Sequence, residues 1–158
     1  MGITMTTKLF LGLAVTATAA AGIGITAAQA SPSSSDTKFT VVEHAITDTT
    51  IDNGTPGDSI GDLLAFGNPV YNAANTVQVG SDQGCCVRTT PGVSYECSWT
   101  LNMKAGPLVV QGPFNDKSDS ILAITGGTGA YASARGQMRL HARNAAGSSY
   151  DFTYRIRA

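Results

Sequence analysis

The chain has 158 residues, 42% of them hydrophobic and 13% charged, with a formal net charge of −1. That balance leaves no basic patch for nucleic acid, and beyond the first thirty residues no apolar run long enough to cross a bilayer as a helix. Three cysteines and two histidines, at Cys85, Cys86, Cys97, His44 and His141, fit no zinc spacing, so neither a metal nor another cofactor is expected.

Residues 1–30 read as a secretory signal peptide. Lys8 precedes an Ala/Gly/Thr-rich apolar stretch, and Ala28-Gln29-Ala30 has the small-x-small form of a cleavage site. The alternative is an uncleaved N-terminal anchor. Cleavage would give a secreted, extracellular protein with no membrane contact, in a compartment where disulfides persist. Residues 31–37, opening on the polar "SPSSSD", read as a flexible tail, and residues 38–158 as one domain. Beyond Ala30 the chain holds nine basic and eleven acidic residues.

Strand chemistry begins at "KFTVVEHAI" (Lys38–Ile46), where Val41, Glu43 and Ala45 share one face. If that face is inward, the Glu43 carboxyl is desolvated and becomes a candidate general acid or base. If it is outward, Glu43 is a solvated edge residue. "IGDLLAFGNPVYN" (Ile60–Asn72) follows, with Pro69 marking an edge or bulge. "NTVQVG" and "CCVRTT" come next. "SYECSWTLNMK" then alternates, with Tyr95, Cys97, Trp99, Leu101 and Met103 inward. A reversal centred on Pro91-Gly92 sets Cys86 opposite Cys97, Arg88 opposite Tyr95 and Cys85 opposite Ser98. A Cys86–Cys97 cross-strand disulfide is therefore predicted, with Cys85 as the odd thiol; the alternative keeps all three reduced. Arg88 would pair with a buried carboxylate or an anionic ligand, or reach solvent at a rim. Trp99 and Tyr95 read as core or pocket wall.

"GPLVVQGPF" and "SILAIT" lead into "GGTGAYASARG". Its letters fit G-x-G-x-x-A from Gly127, the spacing of a dinucleotide turn, but no helix follows before Gly136 and only 22 residues remain. These glycines read as a tight connection between strands. "ARGQMRLHAR" and "SSYDFTYRIR" close the chain around a turn at "NAAG". Arg135, Arg139, His141 and Arg143 form an outer row, either solvated or a patch for an anionic partner. Eight or so short strands and no sustained helical stripe predict an all-β fold, an antiparallel barrel or sandwich.

Several blocks resemble the barrel superfamily of plant allene oxide cyclases and dirigent proteins. "GGTGAYASARG" and "VGSDQG" resemble dirigent segments; "GDLLAFGNPVY", "VQGPF", "LAITGGTGAY" and "GQMRL" are similar to cyclase blocks, in order over nearly the whole chain beyond residue 40. The resemblance implies an eight-stranded antiparallel β-barrel with an apolar interior, a homotrimer, and a small hydrophobic ligand. Carried over by residue, it implies Glu43 as the catalytic glutamate and Thr55, Pro56 and Asn68 as pocket residues. It also sets Cys86 at a pocket cysteine. Ala45 stands where both branches carry a polar residue. Two functions follow: a secreted barrel that binds a small hydrophobic molecule and guides its cyclisation or isomerisation as an isomerase, with Glu43 as trigger and Arg88 and Trp99 at the pocket; or a non-catalytic binding or structural extracellular barrel. A wide cavity beside Glu43 would favour the first, and an interior filled by Trp99, Met103, Leu140 and Phe152 the second.

Overall fold

The computed structural model describes Asp36–Arg157; the segment read as a signal peptide lies outside the described residues. The strands are β1 (Thr37–His44), β2 (Thr49–Ile51), β3 (Leu63–Phe66), β4 (Pro69–Asn72), β5 (Gln78–Thr90), β6 (Ser94–Met103), β7 (Gly106–Asn115), β8 (Ser120–Gly127), β9 (Arg135–Ala142) and β10 (Ser149–Arg157). They pair in the order β2-β3-β5-β4-β1-β10-β9-β8-β7-β6, and β5 pairs with β6 to close the ring. β3 and β4 lie end to end along β5, and β2 continues the line of β1. The result is a closed eight-stranded antiparallel barrel.

Alternation decides which side chains enter. On β6, Cys97, Trp99 and Leu101 are buried while Glu96 and Ser98 are exposed. Tyr95 and Met103, at the two ends of the same face, are only half-buried. The β5–β6 register sets Cys86 against Cys97, Cys85 against Ser98 and Arg88 against Tyr95, as the reversal at Pro91-Gly92 requires. The Cys86–Cys97 disulfide is formed, with Cα atoms 4.0 Å apart, and Cys85 is free and exposed.

The segments "NTVQVG" and "CCVRTT" are parts of one 13-residue strand, β5. Glycine there signals close packing rather than a turn: a Cβ on Gly84 would collide with the Ser98 carbonyl and the Trp99 backbone. The motif "GGTGAYASARG" links β8 to β9 through a single 3-10 turn, Gly129–Tyr131. Gly129 has φ 59°, and a Cβ there would lie 2.7 Å from the Ala105 carbonyl. These glycines let the β6–β7 turn sit against the connection, held by Thr128 N–H donating to Pro107 O at 2.9 Å and Ala130 N–H to Ala105 O at 2.9 Å.

The closed end of the barrel is packed with Leu101, Leu108, Val110, Leu122, Met138 and Tyr154, each fully buried. The arginine row stands on the outside. Asp119 bonds both Arg139 and His141, and Arg143 meets Asp151 at 3.2 Å.

Candidate functional site

The site forms where two strands are interrupted side by side. The β3–β5 register carries on into β4 as far as Val70, beyond which it shifts, so Asn68, between the two strands, faces Asp82. The two exchange backbone hydrogen bonds, Asn68 N–H to Asp82 O at 3.0 Å and Asp82 N–H to Asn68 O at 2.9 Å. The β1–β4 register, extended, would set Ala45 opposite Asn68. There the chain bulges outward through Ala45–Asp48 before β2 resumes. The Asn68 side chain replaces the lost ladder. Its Oδ1 accepts from Ile46 N–H at 3.0 Å, Thr47 N–H at 3.0 Å and the Thr47 hydroxyl at 3.1 Å. Its Nδ2 donates to Glu43 Oε1 at 2.9 Å and to Asp48 Oδ1 at 2.7 Å. A buried amide with every valence met holds its neighbours in one arrangement.

Glu43 is inward and 5% exposed, which removes the edge-residue alternative. Its carboxyl is pushed up to about 9, first by desolvation and then by the Asp82 charge, with the Asn68 amide acting the other way. Asp82 is raised to about 7, again chiefly by desolvation, while the Glu43 hydrogen bond and the Asn68 N–H lower it. Sequence reasoning missed Asp82. Alternation back from Cys86 through Gly84 puts Asp82 on the inner face, but it stood inside "VGSDQG", which was read only as a family signature. Asp82 Oδ2, Trp99 Nε1 and the Tyr154 hydroxyl are buried without a hydrogen-bond partner among the described residues. Tyr154 is held far above its ordinary range by burial.

A cavity of about 30 Å³ opens beside Glu43, lined by Glu43, Asp48, Trp99, Phe152 and the disulfide, among others. That is room for a water rather than a ligand. Trp99 packs edge-on against Phe66 with centroids 6.0 Å apart and tilted against Phe152 at 5.5 Å. Outside lies a hollow of about 370 Å³ between the β7–β8 and β9–β10 turns. Phe114, Leu140 and Tyr150 line both spaces, with Phe114 edge-on to Tyr150 at 5.9 Å. Burial, followed by the charges of Glu43 and Asp48, raises the Tyr150 phenol.

The structure thus brings Glu43, Asn68, Trp99 and Cys86 together. It does not bring Thr55, Pro56 or Arg88 to the cavity. Thr55 and Pro56 are exposed in the β2–β3 loop, which its own hydrogen bonds secure on the surface: Asp62 accepts from Asn53 N–H at 2.8 Å and Ser59 N–H at 2.7 Å. Arg88, 7% exposed, is captured at the barrel end. It donates to Asp116 at 2.7 and 2.9 Å, lies 2.6 Å from Asp58, and covers the Tyr95 ring at 3.6 Å. Cys86 is bonded to Cys97 and has no thiol to offer.

The family model described as allene oxide cyclase matches residues 43–145. Among solved structures, a pyocyanin demethylase is similar at 26% identity, over 73% of this chain and 98% of its own, with a TM-score of 0.63. A pterocarpan synthase dirigent protein is similar at 19% identity, over 77% of this chain and 93% of its own, with a TM-score of 0.61. A Diels–Alderase from Streptomyces koyangensis is similar at 16% identity, over 81% of this chain and 70% of its own, with a TM-score of 0.60. The last two likenesses are of fold alone.

Proposed function

The chain belongs to the allene oxide cyclase family, and we propose that it is a secreted barrel that binds a small hydrophobic molecule in its lumen and guides its cyclisation or isomerisation. The observation that carries this reading is Glu43, a carboxyl raised to about 9 and therefore neutral at pH 7, at the wall of an aromatic cavity. A neutral carboxylic acid in an apolar site can donate a hydrogen bond to a carbonyl or epoxide oxygen as charge develops there. The aromatic walls would hold one folded conformer of the ligand, so that ring closure costs little further entropy. Asn68 keeps Glu43 aimed, and Trp99 forms the wall.

Ligand pockets usually measure roughly 300–1,000 Å³, far more than the inner cavity of about 30 Å³. In this reading a ligand therefore enters by parting Phe114 and Tyr150, which joins the inner cavity to the outer hollow. The small resting cavity equally favours a second reading, a non-catalytic binding barrel with its centre filled by Trp99, Leu140 and Phe152.

Mass spectrometry of molecules that co-purify with the exported protein would supply a ligand. The first reading expects its conversion to a cyclised or isomerised product by the parent, at least tenfold slower by Glu43→Gln. Equal rates would remove Glu43 from the chemistry; a ligand bound but unchanged supports the second reading. Export with cleavage after Ala30, and assembly as a homotrimer, belong to the same proposal. N-terminal sequencing and light scattering test them.

A further inference from the structure

Asp82 Oδ2 is a buried acceptor with no donor among its described neighbours. The residue is 1% exposed, so water does not reach it from outside the barrel. Its other oxygen is occupied, accepting weakly from the Asn68 N–H at 3.3 Å. The neighbouring group within hydrogen-bonding reach is another carboxyl, Glu43. Two carboxylates cannot bond each other; a carboxylic acid and a carboxylate can, strongly, because the acceptor is charged. An unmet buried acceptor is costly, so the proton that relieves it has a structural reason to stay.

Geometry selects which carboxyl keeps the proton. Glu43 Oε1 already accepts from Asn68 Nδ2 at 2.9 Å, which leaves its second oxygen free to carry the proton and donate. Asp82 accepts a backbone N–H on one side and needs a donor on the other. The titratable groups that face Glu43 are Asp82 on β5, Asp48 in the bulge, and Tyr150 and Tyr154 on β10. All are acids or phenols. Both carboxyls are buried, and desolvation raises each of them.

We propose that Asp82 is a positioning residue for Glu43: the two carboxyls share one proton, held on Glu43 and donated to Asp82 Oδ2, and a ligand oxygen entering the cavity takes over that hydrogen bond. Asp82 thereby keeps Glu43 in its donating form while the lumen is empty. The pair then carries one negative charge and Asp48 a second. Such a site rejects a carboxylate or phosphate at this end of the lumen, and accepts a neutral carbonyl or epoxide oxygen. The inference deepens the reading of Glu43 as donor and rests on it only for the ligand; the shared proton is a property of the empty barrel.

The test is a carbon-13 NMR titration of the whole protein, labelled at the Glu and Asp carboxyl carbons, from pH 4 to 10. The expected result is that the Glu43 and Asp82 resonances each show two steps, because each senses the other's proton. In Asp82→Asn the Glu43 resonance should show a single step, lowered by about one pH unit or more as the like charge disappears. Two independent single-step curves in the parent, or a Glu43 curve that Asp82→Asn leaves in place, would overturn the proposal. If Asp82→Asn does not fold, the parent's two resonances decide alone. Failure here would leave the conversion assay with Glu43→Gln untouched, and the reverse also holds.

Discussion

The buried carboxyls make stability depend on pH in an unusual direction. Glu43 ionises at about 4.5 in the unfolded chain but holds its proton up to about 9 in the barrel. Between those values the folded state binds the extra proton, so stability falls as pH rises and is greatest on the acid side. One such proton is worth about 1.4 kcal/mol per pH unit. From pH 6 to pH 8 the parent should lose about 3 kcal/mol, even with Asp82 left out of the count. Glu43→Gln keeps the shape, accepts from Asn68 and donates an amide N–H to Asp82, and has no proton to lose. Urea unfolding at the two pH values reads the effect directly. With a slope near 1.5 kcal/mol per molar urea, the parent's midpoint should fall by about 2 M, and the variant's should change by less than half of that. A parent equally stable at pH 6 and pH 8, or a variant with the parent's full dependence, would refute the placement of Glu43 as a buried neutral acid.

Reduction of Cys86–Cys97, which closes a loop of 11 residues, should cost about 3 kcal/mol and lower the melting temperature by roughly 10 °C. A melt that does not move, with reduction verified by mass, would count against the link as a stabilising element. Gly84→Ala drives a Cβ into the β6 backbone at Ser98–Trp99, coming within 2.7 Å of Trp99 Cα. It should destabilise by about 1–3 kcal/mol and change Trp99 fluorescence; neutral behaviour would mean β5 and β6 are not so close. Arg88→Ala removes the guanidinium nitrogen that donates to both Asp116 oxygens and the cover over Tyr95. It should cost about 2 kcal/mol by chemical unfolding, with the Glu43 titration unchanged because Arg88 lies off the cavity.

Much of the barrel is written locally. Alternation in "SYECSWTLNMK", the Pro91-Gly92 reversal and the turn at "NAAG" each specify faces and partners within one hairpin, where the residues that meet are close in the chain. That is why the β5–β6 register and the disulfide are legible from the letters. Gly80 and Gly84 mislead for the opposite reason. Their role is a close approach to β6, and glycine in a strand cannot be told from glycine in a turn until the neighbour is known.

The candidate site divides in the same way. Alternation along β1 grouped Glu43 with Val41 and Ala45 but left that face inward or outward; resemblance pointed at Glu43 and Asn68, and burial in the barrel decided the face. Thr55 and Pro56 were carried over by motif, but the β2–β3 loop satisfies itself at Asp62 and stays on the surface. Arg88 finds its acids in Asp116 and Asp58, 28 and 30 residues away in chain order. Facing and pairing within the β5–β6 and β9–β10 hairpins were determined by the sequence alone, because they depend on neighbours along the chain. The meeting of Glu43, Asn68 and Asp82, from three strands, was decided only by closure of the barrel. Closure strips water from the carboxyls, and only then does a surface acid become a neutral donor.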